Sequence, residues 1–206
     1  MQNVVPVEER LADATLAARR GQYAAEVRRL IDAAFAVMGT TGDIDPPVRD
    51  IVKRAGLSNQ AFYRHFASKD ALLLAVLADG QRQLVDYLRS RVESSADAET
   101  QVRLWIEGVL AQARNPEAAE ATRPFAINGA RLADRYPADL IATRAQLLDT
   151  LAPSVRALGG TDEDASFVCE LALAHMNDAI AHRRRPQPHE VERLVAFCIA
   201  GVRFGT

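Results

Sequence analysis

The chain has 206 residues, with 25 Lys and Arg against 27 Asp and Glu, a net charge of −2 and 49% hydrophobic residues. That length buries a sizeable core as one compact body or two small domains. No apolar run reaches membrane-spanning length, and the opening MQNVVPVEER has no signal-peptide core, so a cytoplasmic protein is expected.

Ala, Leu and Arg dominate while alternating Val, Ile and Thr are scarce, which predicts an all-α fold of about nine helices. Cys169 and Cys198 are too few and too far apart for a disulfide framework and read as buried small hydrophobes of a reducing compartment.

Residues 1–20 read as an arm. Arg10, Arg19 and Arg20 make a minor-groove role conceivable, but Glu8, Glu9 and Asp13 argue against a dedicated basic arm, and disorder or incidental helix is expected. The first well-marked helix spans Gln22 to Met38, with Val27, Leu30, Ile31, Ala34, Phe35 and Met38 on one stripe and Gly39 and Gly42 at its end.

Val48 to Phe66, VRDIVKRAGLSNQAFYRHF, reads as two short helices around a tight turn. Ile51, Val52 and Ala55 face inward, Gly56 supplies a residue free to take positive φ, Leu57 fills the corner and Ser58 caps the second helix. Phe62 and Phe66 are four residues apart and share a buried face. The opposite face offers Asn59, Gln60, Tyr63, Arg64 and His65. Between Arg49 and Lys69 there are five Lys or Arg and one acid, Asp50. This is the pattern of a helix-turn-helix, whose second helix meets base edges while basic residues displace counterions from phosphates.

The run AGLSNQAFYRHFASKDALLLAVL resembles the DNA-reading end of the TetR family of bacterial transcriptional regulators. Gly56, Leu57, Ser58, Phe62, Tyr63, His65, Phe66, Ser68, Lys69, Asp70 and Leu72 carry the likeness, which covers roughly the first third of the chain. Members usually open the second helix with Thr or Ser; here Pro46-Pro47 stands there, with Asp45 as the expected cap and Pro46 as the first helical residue. The resemblance implies double-stranded operator DNA as partner. Tyr63, His65 and Lys69 are expected on phosphates, Asn59, Gln60 and Arg64 on base edges, and Arg49 and Ser58 beside them.

Ser68 caps a long helix, Lys69 to Glu93. Leu72, Leu73, Val76 and Leu77 serve the first core, and Leu84, Tyr87, Leu88 and Val92 the second, so this helix is placed to couple the two. Further helices are expected at about 100–113, 116–134, 137–158, 162–184 and 188–203, with Pro124 and Gly129 kinking or splitting the second of these. The expected domains are 21–78 for DNA binding and 79–206 for effector binding and dimerisation.

The last helix is apolar nearly all round, so either it lies in the monomer core or it meets another subunit. Helix-turn-helix readers commonly dimerise. The resemblance implies a homodimer seam at 162–184 and 188–203.

Trp105, Phe125, Asn128, Arg131 and His175 are candidates for a small-molecule effector site, as apolar walls carrying a few polar groups. His175, Asn177, Asp178 and His182 lie close in sequence, but a histidine satisfied by the core or by a subunit contact is the expectation rather than a metal. His189-Glu190 begins like a zinc-protease helix, yet residue 193 is Arg, which lacks the second ligand. Arg183-Arg184-Arg185 reads as a helix C-terminal charge complement rather than a DNA contact.

With no catalytic set, the reading is a ligand-responsive repressor without cofactor, metal or enzymatic activity. The alternative is a helix-turn-helix regulator whose C-terminal bundle serves only dimerisation or protein binding.

Overall fold

The computed structural model describes residues 6–204. The first five residues of the expected arm, and the side chains of Glu8 and Arg10, lie outside the described residues. The described chain is all-α, with ten helices and no strand. They are α1 (Val7–Thr41), α2 (Val48–Ala55), α3 (Asn59–His65), α4 (Lys69–Glu93), α5 (Ala98–Arg114), α6 (Pro116–Ile127), α7 (Gly129–Arg135), α8 (Pro137–Ala157), α9 (Asp162–Ala181) and α10 (Pro188–Phe204).

Two compact units result. Of the described residues, one comprises 6–37 together with Asp45–Val76, the other Met38–Ile44 together with 77–204. Both α1 and α4 therefore contribute residues to each unit.

Helix α1 begins well before Gln22, because the run from Val7 to Arg20 is rich in Ala, Leu, Arg and Glu, the residues that lose least on becoming helical. From Leu11 to Ala25 every side chain is exposed. Packing starts at Glu26, and Leu30, Ala33 and Ala34 follow as buried apolar residues.

The buried apolar residues of the first unit also include Ile51, Val52 and Ala55 of α2, Ala61 and Phe62 of α3, Phe66, and Leu72, Leu73 and Val76 of α4. The α2–α3 turn is as its residues predict. Gly56 sits at φ 64°, ψ 37°, the left-handed region that glycine enters without steric penalty. Leu57 N–H then donates to Val52 O at 2.9 Å, closing the helix end. Ser58 Oγ accepts from Ala61 N–H at 3.1 Å and starts α3.

The start of α2 differs from expectation. Pro47, not Asp45, is the N-cap, with φ −61° and ψ 137°, and no side chain caps it. The residue before a proline is held out of the helical region, so the helix cannot begin until the second proline has passed. The Asp45 carboxylate meets the Lys69 ammonium at 2.6 Å.

In the second unit α5 is the central helix, packed against α6, α8, α9 and α10. Its Val102, Trp105, Ile106, Val109 and Leu110 are fully buried. The Trp105 indole N–H donates to Thr150 Oγ1 at 2.8 Å, and Thr150 in turn donates to Leu147 O at 2.7 Å. That relay satisfies the one polar atom of the largest core side chain. A Cβ on Gly108 would stand 2.7 Å from Leu88 Cδ2, so a larger residue there would require the Leu88 side chain to shift.

The expected break near Pro124 and Gly129 falls at Asn128, between α6 and α7. Asn128 Nδ2 donates to Pro124 O at 2.8 Å, giving a partner to a carbonyl at the interrupted helix end. Thr161 and Asp164 form a reciprocal capping box at the start of α9. That helix stops at Ala181, short of the expected residue 184, as Arg183 takes a left-handed φ of 52°. Both cysteines are free and buried, and burial pushes each thiol up to about 11.

Phe62 anchors α3, so Phe62→Ala should destabilise the protein by about 3–5 kcal/mol, the usual range for truncating a buried phenylalanine. Chemical denaturation measures this. An unchanged midpoint would show that the hairpin does not depend on this side chain.

Candidate nucleic-acid interface

Seven residues are too few to make a stable helix alone, so the placement of each side chain on α3 depends on what anchors its inner face. Ala61, Phe62 and Phe66 supply that anchor, the two phenylalanine rings lying 6.0 Å apart by centroid. On the outer face Asn59, Gln60, Tyr63 and Arg64 are exposed, Tyr63 at 61%. No acidic residue occurs between Asp50 and Asp70. The face thus carries amide, phenol and guanidinium donors with no carboxylate of its own, the mixture that can pair with both phosphates and base edges.

Arg49 on α2 is also exposed, with a weak ion pair to Asp50 at 3.3 Å. The Ser58 hydroxyl is committed to its capping bond. Lys69 is held by Asp45, through the carboxylate at 2.6 Å and the backbone carbonyl at 3.4 Å.

His65 is a correction. Expected on the outer face, its side chain is only 1% exposed. The reason is spacing: His65 follows Phe62 by three residues and precedes Phe66 by one, which turns it toward the anchor side. There its Nε2 meets Glu26 Oε2 at 2.6 Å, and its ring packs edge-on to Tyr23 with centroids 4.3 Å apart.

Glu26 is the functional-region residue that the α3 sequence did not disclose. It lies 8% exposed on α1 and accepts from three side chains: His65 Nε2, Arg64 Nη2 and, at 3.3 Å, Gln22 Nε2. The hydrogen bond from His65 is the main cause holding its carboxyl down to about 2 from an ordinary 4.5, against the opposing effect of burial, with Arg64 adding to the lowering. A carboxylate ionised at neutral pH can only accept, so His65 Nε2 carries the proton that points at it. Nδ1 of the same ring is buried without a partner. The available signal was an acidic residue opening an otherwise apolar stripe, at Glu26 ahead of Leu30, Ala33 and Ala34.

The five expected effector residues are spread over α5, α6, the α6–α7 break, α7 and α9. Trp105 is a core side chain with its indole N–H satisfied. Asn128 braces the helix break, and Arg131 is exposed on α7. Phe125 on α6 is half-buried; so is His175 on α9, where Nε2 is buried and unpartnered. None of the five lines the cavities of about 160, 230 and 420 Å³ in this unit. Arginines dominate those instead. Arg114 and Arg185 share two of them, beside Arg183, which is paired with Glu120 at 2.9 Å, and Arg184, which is paired with Asp178 at 2.7 Å.

His182 Nδ1 lies 3.1 Å from Asp178, an ordinary helix-end pair. No cluster of His, Cys, Asp and Glu suited to a metal occurs among the described residues. Among them, no helix is long and apolar enough to cross a membrane.

Because the Glu26 carboxyl is lowered on folding, the unfolded chain binds more protons than the folded one between about pH 4.5 and 2. Its contribution to stability is complete above about 4.5 and is lost as pH falls toward 2. Glu26→Gln should therefore flatten the acid limb of the stability profile, measured by denaturant titrations from pH 6 downward. An identical acid limb in the variant would show that Glu26 carries no such linkage.

Residues 30–76 match the family model described as bacterial regulatory proteins, tetR family. The HTH-type transcriptional regulator BetI of Cronobacter sakazakii is 36% identical over 77 residues, 37% of this chain and 38% of that protein. An uncharacterised HTH-type transcriptional regulator of Bacillus subtilis, YvdT, is 28% identical over 86 residues, 42% of this chain and 44% of its own length. The matched stretch thus spans less than half of these curated relatives. Among solved structures, Salmonella enterica GusR superposes with a TM-score of 0.67 at 19% identity, covering 86% of this chain and 94% of GusR. A TetR-family transcriptional regulator from Streptomyces coelicolor gives 0.62 at 22% identity, covering 86% and 92%. The family model covers residues 30–76, and the likeness in fold extends over most of the chain.

Proposed function

We propose that this chain, which belongs to the TetR family, is a DNA-binding transcriptional regulator that grips a palindromic operator as a homodimer and is released by a small molecule. The observation that carries the reading is the outer face of α3: Asn59, Gln60, Tyr63 and Arg64 exposed together on a helix fixed from behind by Phe62 and Phe66. Arg49 and Lys69 flank it with positive charge for phosphates, and the Ser58 cap sets where the helix begins. Selection of DNA from a random library by the purified protein tests this reading. The expected result is an inverted repeat, with Arg64→Ala changing the preferred bases and Arg49→Ala weakening all sequences about equally. Recovery of no consensus would overturn it.

The dimer rests on exposed apolar side chains on the last two helices, Phe167 at 58% and Phe197 at 68%, with Leu171 also exposed. An aromatic surface of this kind favours burial against a second copy. Phe197→Glu should shift the protein from dimer to monomer in sedimentation and weaken operator binding at least tenfold, as two linked readers become one. A variant that stays dimeric would remove α10 from the seam.

For release, the arginine-lined cavities near Arg114 and Arg185 suit an organic anion. Linkage requires that operator DNA weaken inducer binding by the factor by which the inducer weakens DNA binding. Calorimetry of small organic anions with and without saturating operator measures both. A second reading, dimerisation without any effector, is favoured by the closed packing of α5, whose Trp105, Ile106, Val109 and Leu110 are fully buried. Equal affinities in the two titrations, or no binding at all, would favour that reading.

A further inference from the structure

Arg64 is the one guanidinium on the exposed face of α3, and it is held from behind. Its Nη2 donates to Glu26 Oε2, the same oxygen that takes His65 Nε2. The pair is lopsided in exposure: the Arg64 side chain is 57% exposed while that of Glu26 is 11% exposed. A guanidinium has five N–H donors, and one suffices for this contact. Nε and Nη1 of Arg64 have no partner among the described residues.

Three elements make the carboxylate a fixed point. Glu26 sits on α1 where its packing begins, Gln22 one turn earlier donates to it, and the buried His65 ring is wedged between it and Tyr23. A carboxylate held on three sides does not follow the arginine; the arginine follows it.

We propose that Glu26 is a positioning and specificity-determining residue for DNA reading, orienting the Arg64 guanidinium toward base edges while cancelling its general attraction for phosphate. This rests on the reading of α3 as the DNA-contacting helix.

The charge and the geometry have two consequences. A free arginine is a flexible cation that finds any phosphate, and each such contact strengthens binding to every sequence and steepens its salt dependence. An arginine already paired with a buried carboxylate gains little from a phosphate, yet its remaining N–H groups still match the acceptors of a base edge. Pinning also removes beforehand the rotamer freedom that a long side chain would lose on binding. Glu26 therefore trades affinity for all DNA against discrimination among sequences.

Glu26→Gln tests this, because the amide keeps the shape and an oxygen that accepts from His65 and Arg64 but removes the charge. The probe is the DNA selected by the wild-type protein, compared with a scrambled duplex of equal length, across a salt series. In the variant, scrambled DNA should bind more tightly, and the slope of log K against log salt should steepen by about 0.9, the value of one added phosphate contact. Discrimination between the two duplexes should fall about tenfold, concentrated at one base-pair position per half-site. In an Arg64→Ala background the same Glu26→Gln change should leave discrimination and slope unaltered.

A purely structural Glu26 would weaken selected and scrambled DNA alike and lower the thermal midpoint in proportion. That result, or unchanged discrimination with an unchanged slope, would overturn the proposal. If the wild-type protein selects no sequence at all, the DNA-reading assignment itself falls, and the positioning role with it.

Discussion

A seven-residue helix has no stability of its own in water, so α3 exists only as far as its inner face is gripped. The grip has an apolar part and a polar part. Phe62 and Phe66 bury against the apolar residues of the first unit, and His65, from the same face, reaches a carboxylate on α1. The apolar part fixes that the helix forms and where it lies. The polar part fixes rotation, because a hydrogen bond at 2.6 Å tolerates far less sliding than a hydrophobic contact. The outer face then takes the orientation that the inner face imposes, and Asn59, Gln60, Tyr63 and Arg64 are exposed as a consequence.

Burying Glu26 would be unfavourable without its partners. A carboxylate withdrawn from water needs both charge and hydrogen bonds in return, and Gln22, Arg64 and His65 supply them. The arrangement is mutual: the carboxylate makes a buried histidine acceptable, and the histidine makes a buried carboxylate acceptable. Removing either leaves the other with an unmet demand, so the cluster is a specification of geometry rather than a large source of net stability.

The second unit is organised on a different principle. Around α5 the packing is almost wholly apolar, and its largest residue, Trp105, has its single donor satisfied by Thr150. Gly108 leaves room for the Leu88 side chain, and helix ends carry polar caps, as with the capping box of Thr161 and Asp164. Charged side chains gather instead at the surface near Arg183–Arg185, where a left-handed arginine ends α9. An interior of this kind supports a stable scaffold, and the exposed phenylalanines of α9 and α10 are the places where it meets water least comfortably.

The residues alone determined the helical class, the α2–α3 hairpin, its Gly56 turn, its Ser58 cap and the break between α6 and α7. Each of these is a local matter, decided by φ preference, a capping oxygen or a missing N–H within a few residues of chain. Aromatic and imidazole rings look alike in a sequence whether they face a ligand, a base or the interior, so the burial of Trp105 and of the His65 ring was decided by the tertiary structure. Asp45 does not cap α2 because two adjacent prolines delay the start of that helix, and its carboxylate pairs with Lys69. The contact between Glu26 and Arg64 joins residues 38 positions apart, and no periodicity reports a pairing at that distance. Tertiary structure decided it, because only folding α3 against α1 brings a carboxylate that reads as an ordinary helix-surface charge under the helix whose outer face it holds.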